Sequence, residues 1–206
     1  MGIQPLAPTA MLASHGHRGL AAAPIVCDAR GILKRSNRFA IIGNAGSGKS
    51  TLAWQLAGEM DLALLDLDIV AWEAGRVAVP RPPAAAAADL HGFCRAYPDW
   101  VVEGCYPELI ASALDYRPLL LLLDPGMDQC LANCRARPWE PHKYLSRAEQ
   151  DRKLGMLLAW VEGYYHRDGE ISLASHDALF EAYRGPKQRL SRLPGPDFRP
   201  RAKDTQ

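Results

Sequence analysis

Residues Gly43, Asn44, Ala45, Gly46, Ser47, Gly48, Lys49 and Ser50 satisfy the spacing G-x-x-x-x-G-K-[ST], and Thr51 follows. That order of residue types suits one chemistry, the binding of a nucleoside triphosphate. The glycines let successive backbone N–H groups curl around a phosphate, and a following helix presents its positive end to the same anion. Lys49 is placed to reach the β- and γ-phosphates, and the Ser50 hydroxyl to ligate Mg²⁺. The flanks agree with this phosphate-binding loop, or P-loop. Phe39-Ala40-Ile41-Ile42 is a short apolar run that reads as a strand, and the residues from Thr51 to Ala57 read on as a helix. A chance glycine-rich turn would not carry strand, loop, Lys-Ser and helix in register. ATP and Mg²⁺ are the expected cofactors.

A triphosphate site becomes an enzyme when acids hold the metal shell and receive a proton, and when cations meet the charge that develops in transfer. Asp66-Leu67-Asp68 closes the second strand-like run. Alternation along an extended strand would put both carboxylates on one side, in the crevice where open α/β sheets bind ligands. One would support the Mg²⁺ shell and the other would accept the proton of an attacking hydroxyl. Glu103 closes the third run, Trp100-Val101-Val102-Glu103-Gly104, and should arrive at the same edge, either on the Mg²⁺ shell or on the acceptor. Asp124 is placed similarly, but Pro125-Gly126 follows it, so a turn-forming role competes with a functional one.

For the cations, Arg135, Arg137, Arg147 and Arg152 bracket the loop 138–144. Two helices joined by a loop with arginines at both mouths describe a closing lid, with Arg135 and Arg137 as the expected catalytic pair. Trp72, Arg81 and Tyr106 are the candidates to line an acceptor pocket with Asp68 and Glu103.

These residues need an α/β frame to position them. Strand-like runs at 39–43, 62–67, 100–103, 118–124 and 188–190 alternate with helix-like runs at 49–60, 83–97, 107–113, 127–137, 146–165 and 175–183. The pattern predicts a three-layer fold: a parallel five-stranded sheet flanked by helices, with a small helical lid at about 135–152. Ser146-Arg147-Ala148-Glu149 reads as a capping box at the start of a helix with Leu154, Leu157, Leu158, Val161 and Tyr165 on one apolar stripe. The alanine run 84–88 reads as helix interior. Residues 1–37 are expected to be a flexible extension, 38–192 the P-loop domain, and 193–206 a Pro- and Arg-rich tail.

The 206 residues suit one such domain, and 24 Lys+Arg against 23 Asp+Glu leave a net charge of +1. No stripe of basic residues marks the chain for nucleic acid outside the tail, and no apolar stretch is long enough to span a bilayer. The five cysteines form no C-x-x-C motif, and Cys130 and Cys134, which share a helix face, read as small buried residues and not as a metal site. With no secretory signal evident, a reducing cytoplasmic setting is the expectation. Oligomeric state is not legible.

Taken together, the motifs resemble the P-loop nucleoside/nucleotide-kinase-like fold. Within it they resemble the adenylate-kinase-related group that includes the DNA topology modulation (FlaR-like) proteins. The carriers are the loop from Gly43 to Thr51, Leu67-Asp68-Ile69-Val70-Ala71-Trp72, Pro80-Arg81-Pro82 and Trp100-Val101-Val102-Glu103-Gly104-Cys105-Tyr106. Trp160, Tyr164 and Gly185-Pro186-Lys187 follow downstream, so the resemblance spans about 38–192. The long Arg-rich lid stretch common in that group is missing. Asp66-x-Asp68 is also similar to shikimate and gluconate kinases, where the first Asp supports Mg²⁺ and the second contacts the acceptor hydroxyl. The resemblance implies transfer of the γ-phosphoryl of MgATP to a small-molecule or nucleotide acceptor, whose identity it leaves open. The competing reading is a nucleotide-dependent regulatory NTPase without such an acceptor.

Overall fold

The computed structural model of the chain describes residues 25–27, 33–35, 37–73, 79–140, 145–195, 198 and 200. Its centre is a five-stranded parallel sheet of β3 (Arg38–Ile42), β4 (Ala63–Asp66), β5 (Trp100–Gly104), β6 (Leu119–Leu123) and β7 (Lys187–Leu190), in the order β4-β5-β3-β6-β7. A separate antiparallel pair, β1 (Ile25–Cys27) and β2 (Leu33–Arg35), precedes it. The rest of the expected extension, residues 74–78 and 141–144, and the tail positions 196, 197, 199 and 201–206 lie outside the described residues.

A parallel sheet needs crossover connections, and helices supply them on both faces. They are α1 (Lys49–Met60), α2 (Asp68–Ala71), α3 (Pro83–Ala96), α4 (Pro107–Leu114), α5 (Met127–Ala136), α6 (Arg147–Gly163) and α7 (Leu173–Ala182). Alternation along β3 sends Phe39 and Ile41 into one core with Leu52, Leu56 and Leu121. Ala40 and Ile42 enter the other core, with Leu65, Leu90, Ile110 and Leu122. Because both faces are covered, Leu119 to Leu123 are buried without a polar break. The result is the three-layer α/β frame expected from the sequence.

Three details differ from that expectation. The second strand stops at Asp66, and Asp68 opens the short helix α2. The two carboxylates are therefore not successive residues on one strand face. A helical turn places Asp68, with its N–H donating to Asp66 Oδ1 at 2.9 Å. The Ser146 box is half formed: Ser146 Oγ accepts from the Glu149 N–H at 3.2 Å, but the Glu149 carboxylate turns to the Leu145 N–H at 3.0 Å. A reciprocal box forms instead at Ser172 and Ser175, so α7 begins at Leu173, before Ser175. Glu/Gln at the third position signals a box in sequence; a serine there gives no such cue.

Candidate active site

The carboxyl ends of β3, β4 and β5 converge, with the start of α1 and the end of α5, on a cavity of about 450 Å³. Gly43 follows β3 so close to β6 that an added Cβ would collide with the Leu123 carbonyl oxygen. Gly46, at φ +76°, lies against α5, where a Cβ would collide with the Cys130 carbonyl and come within 2.7 Å of Cys134 Sγ. These two glycines let the loop lie flat on the elements behind it. Asn133 Nδ2 donates to the Gly46 carbonyl at 2.8 Å, and the buried Asn44 Nδ2 donates to the Val161 carbonyl at 2.9 Å. Ala45 packs with Cys130, Cys134 and Val161, so the helical cysteines form the loop's apolar backing. Burial holds both thiols above their usual pKa and keeps them neutral.

Gly48, at φ +96°, caps α1, whose first residues are Lys49, Ser50 and Thr51. The first-turn N–H groups of a helix have no acceptor within it and face an incoming anion. Lys49 is buried, and its Nζ donates to the Asn44 carbonyl at 3.1 Å. Ser50 Oγ donates to Glu103 Oε1 at 2.7 Å. Glu103 is 3% exposed and stands opposite Asp66 in the β4–β5 register. This hydroxyl beside two carboxylates is a set of hard oxygen donors at the loop's edge, which fits a Mg²⁺ ion that completes its shell with water and phosphate oxygens. Among the described residues no group of three or more His, Cys, Asp or Glu is placed to hold a metal ion by itself.

Asp68 lines the cavity beside Asp66. Tyr106 donates to Asp68 Oδ1 at 2.5 Å and accepts from Trp72 Nε1 at 2.6 Å, with the two rings edge to face. Burial, then the Asp68 charge, raises the Tyr106 pKa well above the usual phenol range, so it stays a donor. Trp72 and Tyr106 thus support Asp68 from behind and do not line the cavity. Arg81 is also absent from the lining: it donates to the Val70 carbonyl at 3.1 Å and pairs with Asp89 at 2.7 Å, bracing α2 against α3.

Of the four arginines expected around the phosphates, Arg137 alone lines the cavity, paired with Glu140 at 3.2 Å. Arg135 and Arg152 are exposed, and Arg147 pairs with Asp151 at 3.0 Å on the outer face of α6. Asp124 makes a turn, accepting from the Gly126 N–H at 3.3 Å and from the Tyr165 hydroxyl at 3.1 Å.

Sequence reasoning missed Asn133, Cys105, Glu140 and Leu193, which also line the cavity. Asn133 had a usable signal, standing four residues before Arg137 on one helix face. The others had none. Burial pushes the Cys105 thiol up to about 11, so it is an uncharged wall. Its carbonyl accepts from His176 Nε2 at 3.1 Å, while His176 Nδ1 meets the Tyr164 hydroxyl at 2.8 Å. A carbonyl can only accept, so the neutral ring carries its proton on Nε2 and accepts the tyrosine proton on Nδ1. This buried chain ties α6 and α7 to the end of β5.

Loop, sheet order and crossovers together make a three-layer α/β fold with a P-loop after its central strand. Solved structures similar to this chain include a shikimate kinase from Bacteroides thetaiotaomicron, at 19% identity over 61% of this chain and 78% of that one, with a TM-score of 0.40. A sugar kinase from Janibacter sp. HTCC2649 matches at 16% identity over 70% and 92%, with a TM-score of 0.42. A gluconokinase from Sinorhizobium meliloti 1021 matches at 11% over 71% and 97%, with a TM-score of 0.38. No protein-family model and no curated protein matches the chain. No helix among the described residues is long and apolar enough to cross a membrane.

Proposed function

We propose that this protein is an ATP-dependent phosphotransferase that moves the γ-phosphoryl of MgATP to a hydroxyl of a small-molecule or nucleotide acceptor. The observation that carries the reading is the shared cavity: Lys49, Ser50, Asp66, Asp68, Glu103 and Arg137 all line it. A phosphate-binding loop alone needs only the first two. The α1 N-terminus and Lys49 hold the β- and γ-phosphates, and Thr51 extends the loop toward the α-phosphate. Ser50, Asp66 and Glu103 are the residues that would hold Mg²⁺, which would offset the charge of the phosphates.

Asp68 accepts the proton of the acceptor hydroxyl as its oxygen bonds to the γ-phosphorus. The bond from the γ-phosphorus to the β,γ-bridging oxygen breaks, and ADP leaves with the electron pair. Arg137 and Lys49 meet the negative charge on the transferring group. Trp72 and Tyr106 act by orienting Asp68. Arg81 supports this wall through α2, and Arg135 stands one residue from the cavity wall on α5. The FlaR-like assignment rests on the residue 67–72 and 100–106 motifs and adds no acceptor.

The test is ADP release with MgATP in the presence of nucleosides, sugars and small acids, each against the protein alone. Stimulation by an acceptor, with a phosphorylated product, is the expected result. ATP hydrolysis indifferent to every acceptor would instead identify a nucleotide-dependent NTPase.

A further inference from the structure

Two basic and four acidic side chains line the cavity: Lys49 and Arg137 against Asp66, Asp68, Glu103 and Glu140. Three of the acids stand at the ends of β4 and β5 or on α2, where metal and acceptor chemistry use them. Glu140 does not. It sits three residues beyond Arg137, past the end of α5, and its Oε2 meets Arg137 Nη1 at 3.2 Å. Neither side chain is fully solvated, at 26% exposure for Arg137 and 20% for Glu140.

The short stretch that carries them is pinned from α6. Gln150 Nε2 donates to the Pro138 carbonyl at 3.0 Å, and Gln150 Oε1 accepts from the Glu140 N–H at 2.9 Å. One side-chain amide therefore fixes the backbone on both sides of Trp139, independently of the Glu140 carboxylate. Neither of these two hydrogen bonds uses the Glu140 carboxylate, whose Oε2 is turned to Arg137.

We propose that Glu140 is a built-in competitor for Arg137: its carboxylate occupies the guanidinium that the triphosphate needs, and so sets the affinity of the site for ATP. The inference rests on the triphosphate reading of the cavity. A guanidinium satisfies carboxylate and phosphate by the same planar fork of donors, so the two anions compete for one face. When the phosphates arrive, Glu140 must either give up Arg137 or remain as a negative charge beside a polyanion. Both cost affinity. What the site gains is an arginine held at the cavity wall and prevented from folding onto the acids of β4 and β5.

The test is calorimetric titration of MgATP into the wild type, Glu140→Gln, Arg137→Ala and the double variant. Glutamine keeps the size of the side chain, and the Gln150 clamp on the backbone is untouched. Glu140→Gln should tighten ATP binding about 3- to 10-fold at low salt, the scale of a partly exposed ion pair plus one removed like charge, and the gain should shrink as salt rises. In the Arg137→Ala background the same substitution should give a clearly smaller gain, because only the like charge is relieved and the contested group is gone. Unchanged or weaker binding by Glu140→Gln overturns the proposal. So does an equal gain with and without Arg137, which would be general charge relief. A wild type that binds no ATP overturns the triphosphate reading itself, and this inference with it.

Discussion

The cavity has two walls built on different principles. The phosphate loop is nine consecutive residues from Gly43 to Thr51, and most of what holds it acts on its own backbone: Gly43 against the Leu123 carbonyl, Gly46 against the Cys130 carbonyl, and the Asn133 side-chain amide on the Gly46 carbonyl. The facing wall comes from three distant stretches, Asp66–Asp68, Glu103–Cys105 and Arg137–Glu140. Each reactive group there is held by another side chain or by a neighbouring amide: Asp68 by Tyr106 and Asp66, Glu103 by Ser50, Arg137 by Glu140. The loop wall is therefore fixed in place, as the proposed anion receptor requires. The facing wall is adjustable, and its substitutions should act on turnover more than on binding.

The largest expected effect tests the loop wall. Lys49→Ala removes a point charge aimed at the phosphates and little apolar packing, so it should abolish turnover, by on the order of 10³-fold or more, and weaken ATP binding with the fold retained. ATP titration alongside circular dichroism checks it, and unchanged affinity and turnover would remove the P-loop from the mechanism. The facing wall should behave differently. Asp68→Asn should leave ATP binding nearly unchanged and lower transfer by on the order of 10²-fold, as expected for loss of a positioned base. Arg137→Ala should cost turnover by a similar factor, and ATP affinity less. Tyr106→Phe removes the donor to Asp68 and the acceptor of Trp72 Nε1, and should cost about tenfold. If Asp68→Asn weakens ATP binding as much as transfer, the two walls are not functionally distinct.

The same contrast explains what the sequence revealed. The residue types of the loop wall are local, so the pattern from Gly43 to Thr51 was legible from spacing alone, although the packing partners Leu123, Cys130 and Asn133 are distant in the chain. The sheet was legible because covering both faces forces runs such as Leu119 to Leu123 to be apolar throughout. The facing wall was legible only where a strand end carried an acid. Glu103 and Asp66 were found this way, and Asp68 was found for the wrong reason, since a helical turn and not strand alternation brings it in. Arg81 looked like an acceptor ligand, but its guanidinium is spent on Val70 and Asp89. Which arginine points inward depends on where α5 ends and what α6 packs against, and no residue spacing encodes that.

A smaller effect probes the support behind the facing wall. Burial pushes the fully buried His176 down to about 4 from its ordinary 6.5. The unfolded chain binds this proton between those values while the folded chain does not, so stability is fully present above pH 6.5 and is lost as pH falls toward 4. The shift corresponds to about 3 kcal/mol at most, lost over that window. Thermal unfolding from pH 7.5 to 4 should show the decline. His176→Gln should lower stability at pH 7.5 yet flatten this part of the profile. A variant that keeps the wild-type slope would assign the slope to other groups.

The smallest effect is the most discriminating one for the arginines. Arg135, Arg137, Arg147 and Arg152 are chemically alike and lie within eighteen residues of one another, so a screening effect of net positive charge would make their alanine variants comparable. The geometry separates them. Arg147 is 58% exposed and already paired with Asp151, itself 55% exposed, on the outer face of α6. An exposed i,i+4 pair contributes only about 0.3–0.5 kcal/mol to its helix. Arg147→Ala should therefore leave turnover and ATP affinity within about twofold of wild type, and Arg152→Ala, also exposed, should do the same. Arg135 faces solvent on α5 and should cost far less than Arg137. Bringing Arg147 to the phosphates would require α6 to turn about its axis, which would pull Val161 from Asn44 and Gln150 from the segment after Arg137. Turnover measured in parallel for the four variants decides the matter. Comparable losses at Arg137 and Arg147 would mean that the facing wall rearranges wholesale on binding, and that the cavity described here is not the one in which transfer occurs.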